Sequence, residues 1–282
     1  MSTMSQKNGE GKRSARTRMQ EERAAEEAKA KRLRKLGISG AVLAVLVVAV
    51  VVGILVMNSK STSYNASQAP AGTIGANNLV VPVGATNAPS TLTIYEDPRC
   101  PACGDFEKSF HTTVNQLLGA GKVQIHYHVV SFIDRHDQGS GSKNAANALG
   151  CAQNAGLFHP YHDVLYANQP DETVDVWSDR SVLITLAKQV KGLDTPTFES
   201  CVNNNGFGAW VTAVETDFDK SGYNSTPTIL LNGTVAYPSY KGTSLTPQSL
   251  VTLVDTANKG KPLGTLSAAD ASALATPRPG AS

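Results

Sequence analysis

The chain has 282 residues, 41% hydrophobic, 6% aromatic and 17% charged, with a formal net charge of +2. That length supports one large domain or two small ones with a real core, and the composition excludes collagen-like, coiled-coil and wholly disordered classes. The charge is unevenly divided: residues 1–35 carry 11 Lys/Arg and 5 Asp/Glu, a balance of +6, residues 36–57 carry none, and residues 58–282 carry 14 Lys/Arg and 18 Asp/Glu, a balance of −4.

Such asymmetry points to a membrane surface or to nucleic acid. The stretch from Leu36 to Met57 favours the membrane. It has 22 residues and contains no Asp, Glu, Lys, Arg, His, Asn or Gln. As a helix rising ~1.5 Å per residue it would span roughly 33 Å, about the hydrocarbon core of a bilayer. The rival is a cleavable signal peptide, whose apolar region usually runs about 7–15 residues. The expectation is an uncleaved signal anchor. Lys29, Lys31, Arg32, Arg34 and Lys35 crowd its N-terminal side, whereas Lys60 is the sole basic residue close to the other. The positive-inside rule then places residues 1–35 in the cytoplasm as a basic head and residues 58–282 outside the cell membrane. The head needs no nucleic acid to explain it.

Residues 58–78 are rich in Ser, Asn, Ala and Gly and read as a flexible tether. Residues 79–262 have the size of one domain, and the Ala/Ser/Pro/Gly-rich end at 263–282 reads as disordered. Within the domain, 92–96 alternates like a strand. A helix follows over 103–118, stopped by Gly119 and Gly121, and a second strand runs over 123–132. The pattern then turns helical over 142–156, 161–167, 179–191, 196–203 and 207–221. Strands at 228–231 and 234–237 meet at Asn232-Gly233, a hairpin signal, and a last helix covers 247–258. This order implies an α/β fold with a mixed sheet covered by helices.

All four cysteines, Cys100, Cys103, Cys151 and Cys201, follow the apolar run, on the side expected to be oxidising. Cys100 and Cys103 form C-P-A-C after a strand and at a helix start. Spacing of three puts both sulfurs on one face of the first turn. A dithiol that cycles with a disulfide fits; half of a zinc site, or an inert staple, is the competing reading, and zinc usually takes four Cys/His ligands. At the helix start Cys100 meets free N–H groups that stabilise its thiolate. Pro101 suits a position that needs no N–H. Arg99 is expected to add favourable charge, with Asp105 and Glu107 opposing it. Cys100 then attacks or is attacked, and Cys103, one turn in, resolves the mixed disulfide.

The run Y-E-D-P-R-C-P-A-C-G-D-F, with S-T-P-T-I-L-L-N-G far downstream, resembles the thioredoxin-fold disulfide oxidoreductases, within them the DsbA-like branch. Phe158–Pro170 (FHPYHDVLYANQP) is similar to the helices which that branch inserts between the halves of its thioredoxin unit, here about 142–222. The resemblance implies a thioredoxin fold with an inserted helical domain, Cys100 attacking and Cys103 resolving. It implies a cis-proline loop at Thr226 and Pro227, which with Pro101 and Ala102 would meet the substrate chain. It also implies extracytoplasmic work on reduced or unfolded secreted proteins, and reoxidation by a membrane quinone-linked thiol oxidase. The best-known motif has His where this chain has Ala102, which implies a higher thiol pKa and a weaker oxidant. The buried acid of many members has Glu96 as its nearest counterpart.

Cys151 and Cys201 both fall in the helical block and are expected to form a structural disulfide, with two buried free thiols as the alternative. Closing a loop of about 51 residues would contribute ~4 kcal/mol by loss of chain entropy in the unfolded state. His126 with His128 on a strand, and His159 with His162 near Pro160, read as packing rather than a metal site, since no carboxylate or cysteine arrangement completes one. No metal and no cofactor is expected. The function expected is introduction of disulfides into secreted proteins. The alternatives are a reductase or isomerase of the same fold, or an anchored binding module without enzymatic activity.

Overall fold

The computed structural model describes residues 64–275. The expected basic head and signal anchor lie outside the described residues, and among those described no helix is long and apolar enough to cross a membrane. Five strands form the central sheet in the order β1–β3–β2–β4–β5, with β1 Val81–Val83, β2 Ser90–Glu96, β3 Val123–Val129, β4 Thr228–Leu231 and β5 Thr234–Tyr237. β2 and β3 run parallel from Ser90 opposite Val123 to Glu96 opposite Val129, while β1 and β4 pair antiparallel at either side. β2 alternates buried and half-buried positions, whereas β4 is buried throughout. Continuous burial is what a strand covered on both faces requires.

α1, Pro101–Gly119, crosses from β2 to β3. Its buried side chains, Cys103, Phe106, Glu107, Phe110, Val114, Leu117 and Leu118, recur at helical spacing. Gly121 follows at φ 63°, where a Cβ would stand 2.0 Å from the Gly264 carbonyl oxygen, so both the turn and the close approach demand glycine.

The helical insertion lies between β3 and β4. It comprises α2 Ile133–Asp137, α3 Gly141–Asn154, α4 Phe158–Ala167, α5 Arg180–Ala187, α6 Pro196–Asn203 and α7 Gly208–Lys220. α3 is rich in small residues, and Ala145, Ala146, Ala148 and Ala152 are fully buried against neighbouring helices. Asp179 and Thr195 cap α5 and α6 through side-chain oxygens that accept from Ser181 N and Phe198 N. Cys151 on α3 is joined to Cys201 on α6, with Cα atoms 6.0 Å apart. Past the sheet, β6 Ser239–Tyr240 and β7 Thr243–Ser244 make a short ribbon, and α8 Pro247–Asn258 packs back on α1.

Several expectations differ from the structure. Residues 64–78, read as part of a flexible tether, lie on the domain. Gln153 donates to the Ala71 carbonyl at 2.8 Å, and the Trp210 indole donates to the Asn78 carbonyl at 3.0 Å. Backbone groups hold this segment, so its polar composition concealed it. The tail read as disordered contains α9, Ala268–Leu274, capped by Ser267 and packing Leu274 at the edge of the core. β1 and α2 were not anticipated; at three and five residues both are too short to show periodicity.

Candidate active site

The parallel strands β2 and β3 end at the same edge of the sheet, and β2 delivers Glu96 through Arg99 to the start of α1. Cys100 is the N-cap residue and Pro101 occupies the first turn. The Cys100 N–H donates to the Asp97 carbonyl at 3.0 Å, and its own carbonyl accepts from Cys103 N and Gly104 N, each at 3.1 Å. Both cysteines are free thiols here; Cys100 is 5% exposed and Cys103 1%. Pro101 and Ala102 are exposed beside them.

The two thiols are electrostatically unlike. The Cys103 thiol donating to Cys100 sulfur lowers the Cys100 pKa from 9.0 to about 6, against the cost of burial and with help from Thr226 and the N–H groups of Cys103 and Ala102. Burial pushes the Cys103 thiol well above its ordinary value, and the Cys100 and Glu96 charges push the same way. Ala102 supplies no imidazole; its backbone N–H contributes instead. Across the site the Thr226–Pro227 peptide bond is cis, and the Thr226 carbonyl accepts from the Cys100 thiol at 3.3 Å. A segment 126 residues downstream in sequence therefore faces the sulfur.

Arg99 does not serve Cys100. Its guanidinium is 1% exposed and lies 3.0 Å from Asp134, 2.6 Å from Asp137 and 3.3 Å from Asp175, with a further bond to the Glu172 carbonyl at 3.0 Å. It ties the segment before the helix to the insertion. Glu107, expected to oppose the Cys100 thiolate, is buried on the inward face, where its charge acts on His162, Tyr127 and Tyr166.

Three groups at the site were not anticipated. Gln169 follows α4, and its Nε2 donates to the Pro98 carbonyl at 2.8 Å and the Cys100 carbonyl at 2.9 Å. Tyr166 donates to the Asp97 carbonyl at 3.2 Å. Asp97, fully buried, accepts from Arg99 N and Ile133 N at 2.8 Å each, and burial raises its pKa to about 7 despite those bonds. The FHPYHDVLYANQP run carried Gln169 as part of a resemblance without a role.

The reading of His162 as plain packing is corrected. Glu96 and His162 are each 1% exposed, and Glu96 Oε1 lies 2.6 Å from His162 Nε2. With Glu107 they form a buried group whose potential ligand atoms lie within 4.8 Å of one another. Atoms that share a tetrahedral ion at ~2.0–2.1 Å stand about 3.3 Å apart. The 2.6 Å separation is that of a short, charge-assisted hydrogen bond. Burial would lower the His162 pKa; the Glu96 charge and the contacts with Asp163 and Glu96 outweigh it and raise it well above the ordinary value. His126 bonds Gln124 at 2.9 Å, and His128 stacks on Tyr95 with burial lowering its pKa to about 4.

Comparison with known proteins places this geometry. A family model described as thioredoxin matches residues 77–256. The chain is 30% identical over 131 residues to the serine/threonine-protein kinase PknE of Mycobacterium tuberculosis, a match covering 43% of this chain and 22% of the kinase. It thus spans about a fifth of the length of that curated relative. It is 28% identical over 159 residues to disulfide bond formation protein D of Bacillus subtilis, covering 54% of this chain and 68% of that one. The reduced crystal structure of DsbA from Mycobacterium tuberculosis superposes with a TM-score of 0.55 at 26% identity, covering 70% of this chain and 98% of that one. The chain belongs to the thioredoxin family and has the DsbA-like form of its fold, with the helical insertion between β3 and β4.

Proposed function

We propose that this chain is an extracytoplasmic thiol–disulfide oxidoreductase which donates a Cys100–Cys103 disulfide to reduced or unfolded secreted proteins. The observation that carries the reading is the asymmetry of the two thiols at one helix start: Cys100 held to about 6, Cys103 pushed up and buried beneath it. A low pKa at Cys100 stabilises the reduced form, and a couple with a stabilised reduced form accepts electrons readily. The likeness to a DsbA and to a disulfide bond formation protein supports the same direction.

The chemistry balances as follows. A substrate thiolate attacks Cys100 Sγ, and the Cys100–Cys103 bond breaks with its electron pair on Cys103 Sγ. That thiolate takes up a proton. A second substrate thiolate attacks the substrate sulfur of the mixed disulfide, and Cys100 leaves as a thiolate. The substrate has lost two electrons and the enzyme is a dithiol. The Thr226–Pro227 loop and the exposed Pro101 and Ala102 border Cys100 and would receive an extended chain; Thr226 N–H and carbonyl groups are the natural partners for its backbone. A membrane quinone-linked thiol oxidase would restore the disulfide. Residues 36–57 would anchor the chain with its N-terminus cytoplasmic, and Cys151–Cys201 would be a structural bond.

The test mixes the oxidised full chain with a reduced, unfolded substrate protein and counts thiols. Two substrate thiols lost per chain, abolished by Cys100→Ser, is the expected result. Cys103→Ala should trap mixed disulfides through Cys100. No transfer from the wild type sinks the activity, while a pair found mostly reduced in cells replaces the oxidase with the reductase or isomerase.

A further inference from the structure

The reaction above turns on where one sulfur points. Cys100 starts α1 with extended backbone, φ −67° and ψ 120°. Those angles set the direction of the Cα–Cβ bond, and Sγ then meets the N–H groups of Ala102 and Cys103 and the Thr226 carbonyl, 3.3 Å away.

The peptides around Cys100 hold those angles. The Cys100–Pro101 peptide has no N–H, so it can be gripped only through its carbonyl. Three donors grip that oxygen: Cys103 N and Gly104 N at 3.1 Å each, and Gln169 Nε2 at 2.9 Å. The first two are the helix's own turn, which any helix start supplies. The third comes from the far side of the helical insertion. The same nitrogen donates to the Pro98 carbonyl at 2.8 Å, so one carboxamide spends both hydrogens on the peptides to either side of Arg99 and Cys100. Two carbonyl acceptors at one end identify that end as the nitrogen. The grip is braced from behind. Gln169 follows the end of α4, where Asn168 Nδ2 donates to the Val164 carbonyl at 2.8 Å. Three residues on, the Glu172 carbonyl accepts from Arg99 at 3.0 Å, so residues 169–172 meet residues 98–100 at both ends.

We propose that Gln169 is a positioning residue for the redox pair: its carboxamide fixes the peptides flanking Arg99 and Cys100, so that the Cys100 sulfur stays directed at the helix start and at the Thr226 carbonyl, in place for exchange. The inference deepens the oxidoreductase reading and rests on it. The bonds of the carboxamide nitrogen go to carbonyls and to neither sulfur, so Gln169 acts through the backbone it holds. The groups that bring Cys100 to about 6 are directional hydrogen-bond partners: the Cys103 thiol, Thr226 and two N–H groups. A backbone that rocks at Cys100 carries Sγ away from all of them together. The thiolate is then less favoured, the reduced form loses stabilisation, and the couple becomes a weaker oxidant. The insertion thereby sets the strength of a disulfide it does not contain.

The test uses the reduced full chain. It follows iodoacetamide alkylation of Cys100 against pH, and the equilibrium with glutathione at pH 7. Gln169→Met keeps the length of the side chain and removes both donors. Gln169→Glu sets a carboxylate oxygen against two carbonyls. In Gln169→Met the alkylation midpoint should rise by about 0.5–1 pH unit, and the equilibrium constant for oxidising glutathione should fall about threefold to tenfold. Gln169→Glu should show the larger rise, since its charge also opposes the thiolate. Arg99→Lys weakens the same loop through a side chain that reaches no Cys100 atom, and its midpoint should stay in place. A midpoint in either Gln169 variant at or below the wild-type value, whatever the melting temperature does, overturns the proposal and leaves Gln169 a structural residue. An equal rise in Arg99→Lys also overturns it, because loosening of the insertion would then be enough. A wild type that oxidises neither glutathione nor a reduced protein overturns the oxidoreductase reading and the proposal with it, and this is read apart from the midpoints.

Discussion

Gln169 clamps the backbone of Cys100: the carboxamide nitrogen sits 2.9 Å from the Cys100 carbonyl and 2.8 Å from that of Pro98. The residue comes from the insertion, 69 positions after the cysteine whose loop it holds. It also abuts Gly104, where an added Cβ would fall 2.0 Å from Gln169 Oε1.

This contact makes a double-mutant prediction. Gln169→Ala removes two hydrogen bonds, each with a net value of about 1 kcal/mol, and should lower stability by roughly 1–3 kcal/mol. Gly104→Ala should also destabilise, by pushing the carboxamide off its two carbonyls. The two losses share one cause, so the double variant should lose less than their sum. Urea melts of the four chains read the coupling directly; strict additivity would show that the glycine does not serve the clamp.

The low Cys100 pKa predicts how stability depends on pH. The folded value is about 6 and the ordinary one 9.0, so the unfolded reduced chain binds more protons than the folded one between those limits. The reduced form should gain stability relative to the oxidised form as pH rises from about 6 towards 9, with a slope of at most about 1.4 kcal/mol per pH unit. Below pH 6 the gain is gone. Paired denaturation curves of the two redox forms measure the difference, and a difference flat with pH would contradict the depressed thiol.

Arg99 predicts a separation of stability from reactivity. Its planar fork meets Asp134, Asp137 and Asp175, an arrangement that an ammonium cannot reproduce. Arg99→Lys should lower the melting temperature, and Arg99→Ala, which strands the fully buried Asp134 carboxylate, should cost about 3–5 kcal/mol. The pH midpoint for alkylation of Cys100 should stay near its wild-type value in Arg99→Lys, because the guanidinium points into the insertion. A large upward shift would restore Arg99 as a source of charge for the thiolate.

What was legible in the sequence was local. The C-P-A-C helix start, the hairpin at Asn232-Gly233 and the helices over 142–221 rest on spacing and turn chemistry, which short windows carry, and the structure has them within a few residues. The direction of the Arg99 side chain was not legible, since the three carboxylates that receive it lie 35 or more positions away. Glu96 could be named as a buried acid only once β2 was registered against β3, and its partner His162 comes from an inserted helix.

The Cys151–Cys201 bond makes this protein a client of the chemistry proposed for it. A newly made chain arrives with four thiols, and two of them must be oxidised before α3 and α6 are clamped. The segment so fastened also supplies Gln169 to the redox loop and His162 to Glu96. Such bonds form outside the reducing cytosol. Under the proposed function, a chain held back in the cytosol would lack the clamp that steadies its active-site scaffold, and maturation of the catalyst would be tied to arrival in the compartment proposed for its work.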